Sequence, residues 1–208
     1  YGYRTLLKRS LDEILDKPYD PAEMKDAVEA KLFGIGSESF VVGSHEFYLA
    51  YAVKNDIMIC IDAGHFHPTE VVGDKISAIL QFVPEMMLHM TRGVRWDSDH
   101  VVTLNDDSLL ICQEIVRSGA LDRINIGLDF FDASINRIGA YVTGVHAVLK
   151  GLLIALLEPV QILQKHEEEG QWFQRLATLE SLKAMPWHAV WDYYCFSNGI
   201  PHAMNFIG

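Results

Sequence analysis

Eight side chains in this sequence are of types that bind divalent cations or move protons, and they close or follow apolar runs. Glu29 and Lys31 lie in AVEAKLF, Asp62 and His65 in IMICIDAGHFHP, and His89 in MMLHM. Asp97 and Asp99 follow in VRWDSDH, and Asp129 in INIGLDFFD. Mixed carboxylate and imidazole donors without thiolate suit Mn²⁺, Mg²⁺, Co²⁺ or Zn²⁺ and disfavour a soft-metal site. Gly64 permits a sharp turn between Asp62 and His65, so both side chains can approach one centre. In extended chain, residues two apart point the same way, so the carboxylates of the D-x-D pair Asp97/Asp99 can reach one cation. Seven candidate ligands exceed what one ion with open positions for a substrate requires. Two ions sharing neighbouring ligands are the economical reading; such a pair can hold two substrate oxygens and polarise a carbonyl.

Each of these residues also has an ordinary structural explanation. Asp62 could cap a helix; His89 could be a satisfied core histidine; the D-x-D pair could be a polar loop. Lys31 could be the ion-pair partner of Glu29. Asp132 could cap the following helix, and His67 and His100 could orient neighbours. The remaining histidines, His45, His146, His166, His188 and His202, have no partner spacing and read as structural or surface residues. What favours a shared site is recurrence: a polar residue ends run after run, as at one end of a parallel sheet.

The elements that must position these residues follow from periodicity. Residues 3–16 read as a helix with Leu6, Leu7, Leu11, Ile14 and Leu15 on one face. A strand is expected at about 27–33, with Glu29 and Lys31 on the same face. Ser44 suits the cap of a helix whose apolar face is Phe47, Tyr48, Tyr51 and Ala52. The second strand spans 57–61, and the helix after Pro68-Thr69 should bury Val71, Val72, Ile76, Ile79, Leu80 and Val83. The third strand is 86–90, with an extension over 94–99 that leads into an acidic helix start at 105–108. The fourth is 124–128, followed by a long helix facing the core with Ile138, Tyr141, Val142, Val145, Leu149, Leu152, Leu153 and Leu156. That helix contains the most apolar stretch, but His146, Lys150 and three glycines interrupt it, so it reads as a buried helix and not a membrane span. Beyond Pro159 only helices are expected.

Four strand–helix repeats, each the size of one βα unit, give an α/β fold with a parallel sheet. A closed (β/α)₈ barrel needs eight strands. The chain therefore reads as half of a longer protein or as a module that pairs with another half. Residues 1–158 would be the second half of a (β/α)₈ barrel and 159–208 a C-terminal helical extension.

The net charge of −11 argues against nucleic acid and anionic membrane surfaces as partners, and fits a protein that collects cations. Cys60, Cys112 and Cys195 form no CxxC pair and sit in apolar settings, which favours a reducing cytosol and buried thiols. The segment YGYRTLLKRSLDEI lacks the apolar run of a signal peptide, so a cytoplasmic location is expected.

The stretches VEAKLFGIGSESFVVGSHEFYLAYA, IDAGHFHPTEVVGDKIS, VRWDSDHVV and IGLDFFDASINRIGA resemble L-rhamnose isomerases. The resemblance runs from about residue 5 to 195, corresponds to the C-terminal half of those enzymes, and weakens in the tail FSNGIPHAMNFIG. It implies a barrel of the xylose-isomerase-like group that interconverts L-rhamnose and L-rhamnulose by a hydride shift between C1 and C2, using two divalent ions, commonly Mn²⁺. By motif, Glu29, Asp62, His89 and Asp129 would hold the structural ion, and His65, Asp97 and Asp99 the catalytic one, with Asp62 able to bridge them. Lys31 matches a lysine near the substrate carbonyl, and a metal-bound water near Asp97 and Asp99 would move the hydroxyl proton. The resemblance also implies a homo-oligomer, a tetramer as is usual in that family.

Overall fold

A computed structural model describes residues 2–16, 19–31, 42–94, 97–202 and 204–207, apart from the side chains of Asp97 and Ser98. In chain order its first elements are α1 (Gly2–Ile14), β1 (Ala27–Glu29), α2 (His45–Asn55), β2 (Met58–Asp62), α3 (Gly73–Ile79) and β3 (Met86–His89). There follow β4 (Arg92–Val94), β5 (Asp97–His100), α4 (Asp106–Arg117), β6 (Ile124–Gly127) and α5 (Arg137–Leu156). The chain ends with α6 (Val160–Glu168), α7 (Trp172–Leu182) and α8 (Trp187–Ser197). The far end of the first expected strand, at 32–33, lies outside the described residues.

The strands β1, β2, β3 and β6 form one parallel sheet in that order. Each is followed by a helix, as parallel pairing requires, because the chain must cross back before it can run the same way. Among the described residues β1 and β6 each pair on one side only, so the sheet is open. Ile59, Ile61, Met86 and Leu88 are fully buried in it, and Ile76, Ile111 and Ile115 cover it from α3 and α4. Side-chain caps start α2, α4 and α5, whereas α3, α6, α7 and α8 begin without one. Ser44 accepts from the Phe47 amide, and Asn105 and Ser108 form a reciprocal capping box at α4.

Four sequence expectations need correction. The segment expected to extend the third strand instead forms a separate antiparallel ribbon of β4 and β5, with Arg92 opposite His100. Val71 is 47 % exposed, because α3 begins only at Gly73 and Val71 precedes its buried face. Asp132 does not cap α5. It closes its own turn by accepting from the Ser134 amide at 3.0 Å, and Asn136 takes the cap position.

The fourth correction concerns which face of α5 is buried. The packed stripe is Ala140, Gly144, Ala147, Val148, Gly151 and Ala155, while Ile138, Tyr141, Val145, Leu149 and Leu156 are exposed. Small residues win because they let α5 approach its neighbours closely. A Cβ on Gly144 would come within 2.6 Å of Phe130 Cζ, and one on Gly151 within 2.8 Å of Cys112 Sγ. By length and composition α5 could cross a membrane, yet in the fold its small-residue stripe lies against α4.

A buried ion pair fastens the far end of α5. Glu158 accepts from Arg117 Nε at 2.8 Å and Nη2 at 2.9 Å, and from Gln113 at 2.6 Å. Its side chain is only 3 % exposed, so removing either partner leaves a desolvated charge, at a cost of about 3 kcal/mol or more. All three cysteines are free and buried, as expected.

Candidate metal centre

Parallel register brings the expected donors to one end of the sheet. Glu29 pairs with Cys60, Asp62 with His89, and His89 with Gly127 across the four strands. His89 is the hub. Its Nδ1 donates to Glu29 Oε1 at 2.9 Å, with Asp129 Oδ2 at 3.5 Å and Asp62 Oδ2 at 3.6 Å. The ring fits because position 127 has no side chain: a Cβ there would lie 3.0 Å from His89 Cδ2.

Asp62 is the most buried of the set, 1 % exposed overall. Its Oδ1 accepts from the Thr91 hydroxyl and from the Gly64 amide at 2.7 Å, which closes the turn toward His65. It does not cap α3, whose N-cap is Val72. Thr91 Oγ1 also accepts from the Gly64 amide at 2.8 Å, tying strand end to turn. Asp62 Oδ2 is buried without a hydrogen-bond partner. A desolvated carboxylate oxygen with nothing to accept from costs several kcal/mol unless a cation or proton serves it.

The electrostatics of the cluster have the same sign. The carboxylates favour the His89 imidazolium, Asp62 most, with Oδ2 at 3.6 Å, and then the hydrogen-bonded Glu29, pushing its pKa up to about 12. A proton on His89 thus supplies positive charge among carboxylates that would otherwise repel one another.

The second group stands beside the first. His65 Nδ1 donates to the Ala30 carbonyl at 3.1 Å, which orients the ring and presents Nε2 to Asp99 Oδ1 at 3.2 Å. A histidine fixed in this way through one nitrogen is prepared to ligate through the other. Asp99 has φ 69°, so the extended geometry assumed for the D-x-D pair does not hold there. Its carboxylate reaches His65 from a left-handed backbone, a strain that Asp tolerates better than most residues. The Asp97 side chain lies outside the described residues. Lys31 follows β1 at the same sheet end and is exposed.

The donors fit a divalent ion. Ligand atoms of Asp62, His89 and Asp129 lie within 4.8 Å of one another, as do those of Glu29, Asp62 and His65. The donors are oxygen and imidazole, Asp62 belongs to both groups, and its orphaned Oδ2 lies 3.6 Å from His89 Nδ1.

Three participants were not foreseen from sequence. Cys60 Sγ is 3.6 Å from Glu29 Oε1, on the same strand face as Asp62. Thr91 braces Asp62, and Gly127 leaves room for His89. Strand alternation held the signal for two of them, since Cys60 precedes Asp62 by two residues and Thr91 follows His89 by two.

The family model of L-rhamnose isomerase (RhaA) matches residues 1–208. The chain belongs to the L-rhamnose isomerase family. The match runs past residue 195, where the visible resemblance faded, to the last residue. An L-rhamnose isomerase of Bacteroides thetaiotaomicron is 55 % identical over 205 residues, which cover 99 % of this chain and 49 % of that protein. One from Pectobacterium carotovorum subsp. carotovorum is 57 % identical over 194 residues, 93 % of this chain and 46 % of the relative. One from Enterobacter sp. (strain 638) is 54 % identical over 198 residues, 95 % and 47 % of the respective chains. The chain spans about half the length of these curated relatives.

Proposed function

We propose that this chain is half of a metal-dependent aldose–ketose isomerase that interconverts L-rhamnose and L-rhamnulose. The observation that carries this is the orphaned, buried Asp62 Oδ2 within reach of His89, at a sheet end shared with Glu29, His65, Asp99 and Asp129. Glu29, Asp62, His89 and Asp129 hold an inner ion; His65, Asp97 and Asp99 hold an outer one. Two divalent ions, Mn²⁺ by preference with Zn²⁺, Co²⁺ or Mg²⁺ as substitutes, supply Lewis acidity toward the sugar carbonyl and neighbouring hydroxyl.

The reaction moves a hydride from C2 to C1 while the proton on O2 passes to O1, so nothing is gained from or lost to solvent. The chain's residues must therefore orient two adjacent sugar oxygens and hold one proton. With one His65 nitrogen on the Ala30 carbonyl and the other kept for the ion, the carboxylates of Asp97 and Asp99 would manage that proton, and Lys31 would bring a cationic donor to the C1 oxygen. Thr91 and the Ala30 carbonyl keep Asp62 and His65 from rotating away, the preorganisation such a transfer needs.

The four strands are proposed to be half of a (β/α)₈ barrel, 1–158, with 159–208 as a helical extension. The open sheet edges and the half-length match to the relatives support this. Exposed apolar side chains on α5, α7 and α8, such as Ile138, Phe173 and Phe196, support a homo-oligomer, by resemblance a tetramer. The three free cysteines suit a cytoplasmic location.

The test is conversion of L-rhamnose by the chain, alone and mixed with a separately expressed N-terminal half of the B. thetaiotaomicron enzyme, with Mn²⁺ and after chelation. Turnover that needs Mn²⁺ supports the proposal. Tight Mn²⁺ binding without turnover in either mixture marks a metal-stabilised structural module instead.

A further inference from the structure

We propose that His146 is the pin of an acid-released strap: protonation of its ring frees residues 204–207 from α5, while α5 stays packed on α4. The strap belongs to α5, α8 and the segment after them. Neither an ion nor a sugar takes part in its release, so it stands apart from the isomerase reading.

One ring holds the segment. Phe206 is half-buried, whereas Met204 is 75 % and Ile207 69 % exposed. Among the described residues the backbone bonds of the segment are local. The Asn205 amide donates to the His202 carbonyl and the Ile207 amide to the Met204 carbonyl, both at 3.0 Å, so they close turns without tying it to α5. Phe206 instead packs on the His146 imidazole, with ring centroids 4.4 Å apart. The same imidazole meets the buried Trp191 of α8 at 5.5 Å and 68°, an edge contact. Lys150, one turn along α5, holds its ammonium 5.5 Å from the centre of that indole. His146 is therefore the junction of α5, α8 and the segment around Phe206.

This junction has no place for a second proton. His146 Nδ1 is sealed from solvent and, among the described residues, has no hydrogen-bond partner. A charged imidazole donates from both nitrogens, so protonation would bury a charged N–H with nothing to accept it. Lys150 stands at i+4 on the same helix, where like charges repel. The Trp191 ring, which could offset a cation, already serves the Lys150 ammonium. From α8 and from the segment His146 meets aromatic rings, so Lys150 is the charged group that faces it. The titratable neighbours of those rings are Asp192, Tyr194 and Cys195 on α8, and His202, whose ring packs on Phe196 at 5.9 Å. Burial first, then Lys150, hold the His146 proton affinity below the usual 6.5. A histidine whose folded value is depressed stabilises the closed form above its unfolded value. That stability is lost as pH falls through about 6.5, by at most about tenfold in the closed-to-open ratio per pH unit. The segment yields before α8 because a single ring carries it, whereas α8 buries Trp191 and Cys195.

The experiment is hydrogen exchange of the full chain followed by mass spectrometry at about pH 7.5 and about pH 5.5, with rates corrected for their intrinsic pH dependence. Peptides covering 200–207 should lose about fivefold to tenfold of their protection at the lower pH, while those of α4 keep theirs. His146→Phe keeps a ring against Phe206 but has no proton to gain, so its 200–207 peptides should be equally protected at both pH values. Every other histidine, His202 included, remains in that variant, so the same acid loss there overturns the proposal. So does equal protection of 200–207 in the unaltered chain at both pH values, or opening of α4 together with the segment. Should His146→Phe lose its circular dichroism, the ring resonance of His146 in the unaltered chain decides the question. Titration below 6.5 with loss of the Phe206 ring-current shift supports the strap, and titration at or above 6.5 overturns it.

Discussion

The two halves of the candidate metal centre are built differently. Glu29, Asp62 and His89 sit on strands whose backbones are locked into a parallel ladder. Their side chains are 29 %, 0 % and 14 % exposed. Asp99 and Asp129 reach in from a ribbon and from beyond a strand end, and are 42 % and 68 % exposed. His65 belongs to a turn, though a backbone carbonyl steadies it. Strand-borne donors are positioned by the sheet itself, whereas loop-borne donors can adjust to an arriving molecule. One half of the site is thus built for permanence and the other for exchange.

The largest effect should come from removing the strand-borne centre. Asp62→Ala should lower Mn²⁺ affinity by more than the roughly 100-fold that losing a supporting partner costs, and calorimetric titration should find no tight site. Breaking the turn-borne half is more selective. His65→Asn should reduce bound Mn²⁺ from two equivalents to one, measured by elemental analysis after dialysis. If both equivalents vanish, the halves are not separable. Glu158→Ala, outside both halves, should cost about 3 kcal/mol in denaturant unfolding while Mn²⁺ affinity stays within about twofold. Thr91→Val should weaken only the tighter Mn²⁺ site, by about tenfold. The smallest response belongs to Cys112, whose thiol burial pushes up to about 12. It should not react with a thiol reagent until the chain is unfolded, as followed by mass spectrometry.

How far the sequence could be read depended on whether local pattern or tertiary approach decided each feature. IMICID announced β2 because a strand buried on both faces must be apolar throughout, and Ser44 and Asn105 announced helix starts through their own hydrogen bonds. Glu29, Asp62, His65 and His89 were legible because ligand-type residues are conspicuous at the ends of such runs. The buried face of α5 was not, because side-chain size suggested a core made by Ile138, Val145 and Leu149. The neighbouring Phe130 and Cys112 instead select for the absence of bulk. The ribbon of β4 and β5 was also missed. Pairing Arg92 with His100 is a reversal of chain direction that apolar periodicity does not record. Cys60 reads in the sequence as one more buried thiol of an apolar run, because IMICID does not show which side chains of the neighbouring strand share its face.

Phe130 is the residue after Asp129, and its ring lies where Gly144 of α5 has no side chain, stacked on Tyr141 at a centroid distance of 5.2 Å. That contact is a peg in a socket. It makes the outer layer of helices part of the machinery that aims a carboxylate at the sheet end. A single methyl added at position 144, on the helix after Asp129, would have to push the peg, and the backbone carrying Asp129 would move with it. Tolerance to substitution in this chain should therefore follow the closeness of backbones, and a lesion on a covering helix should be felt at the end of the sheet.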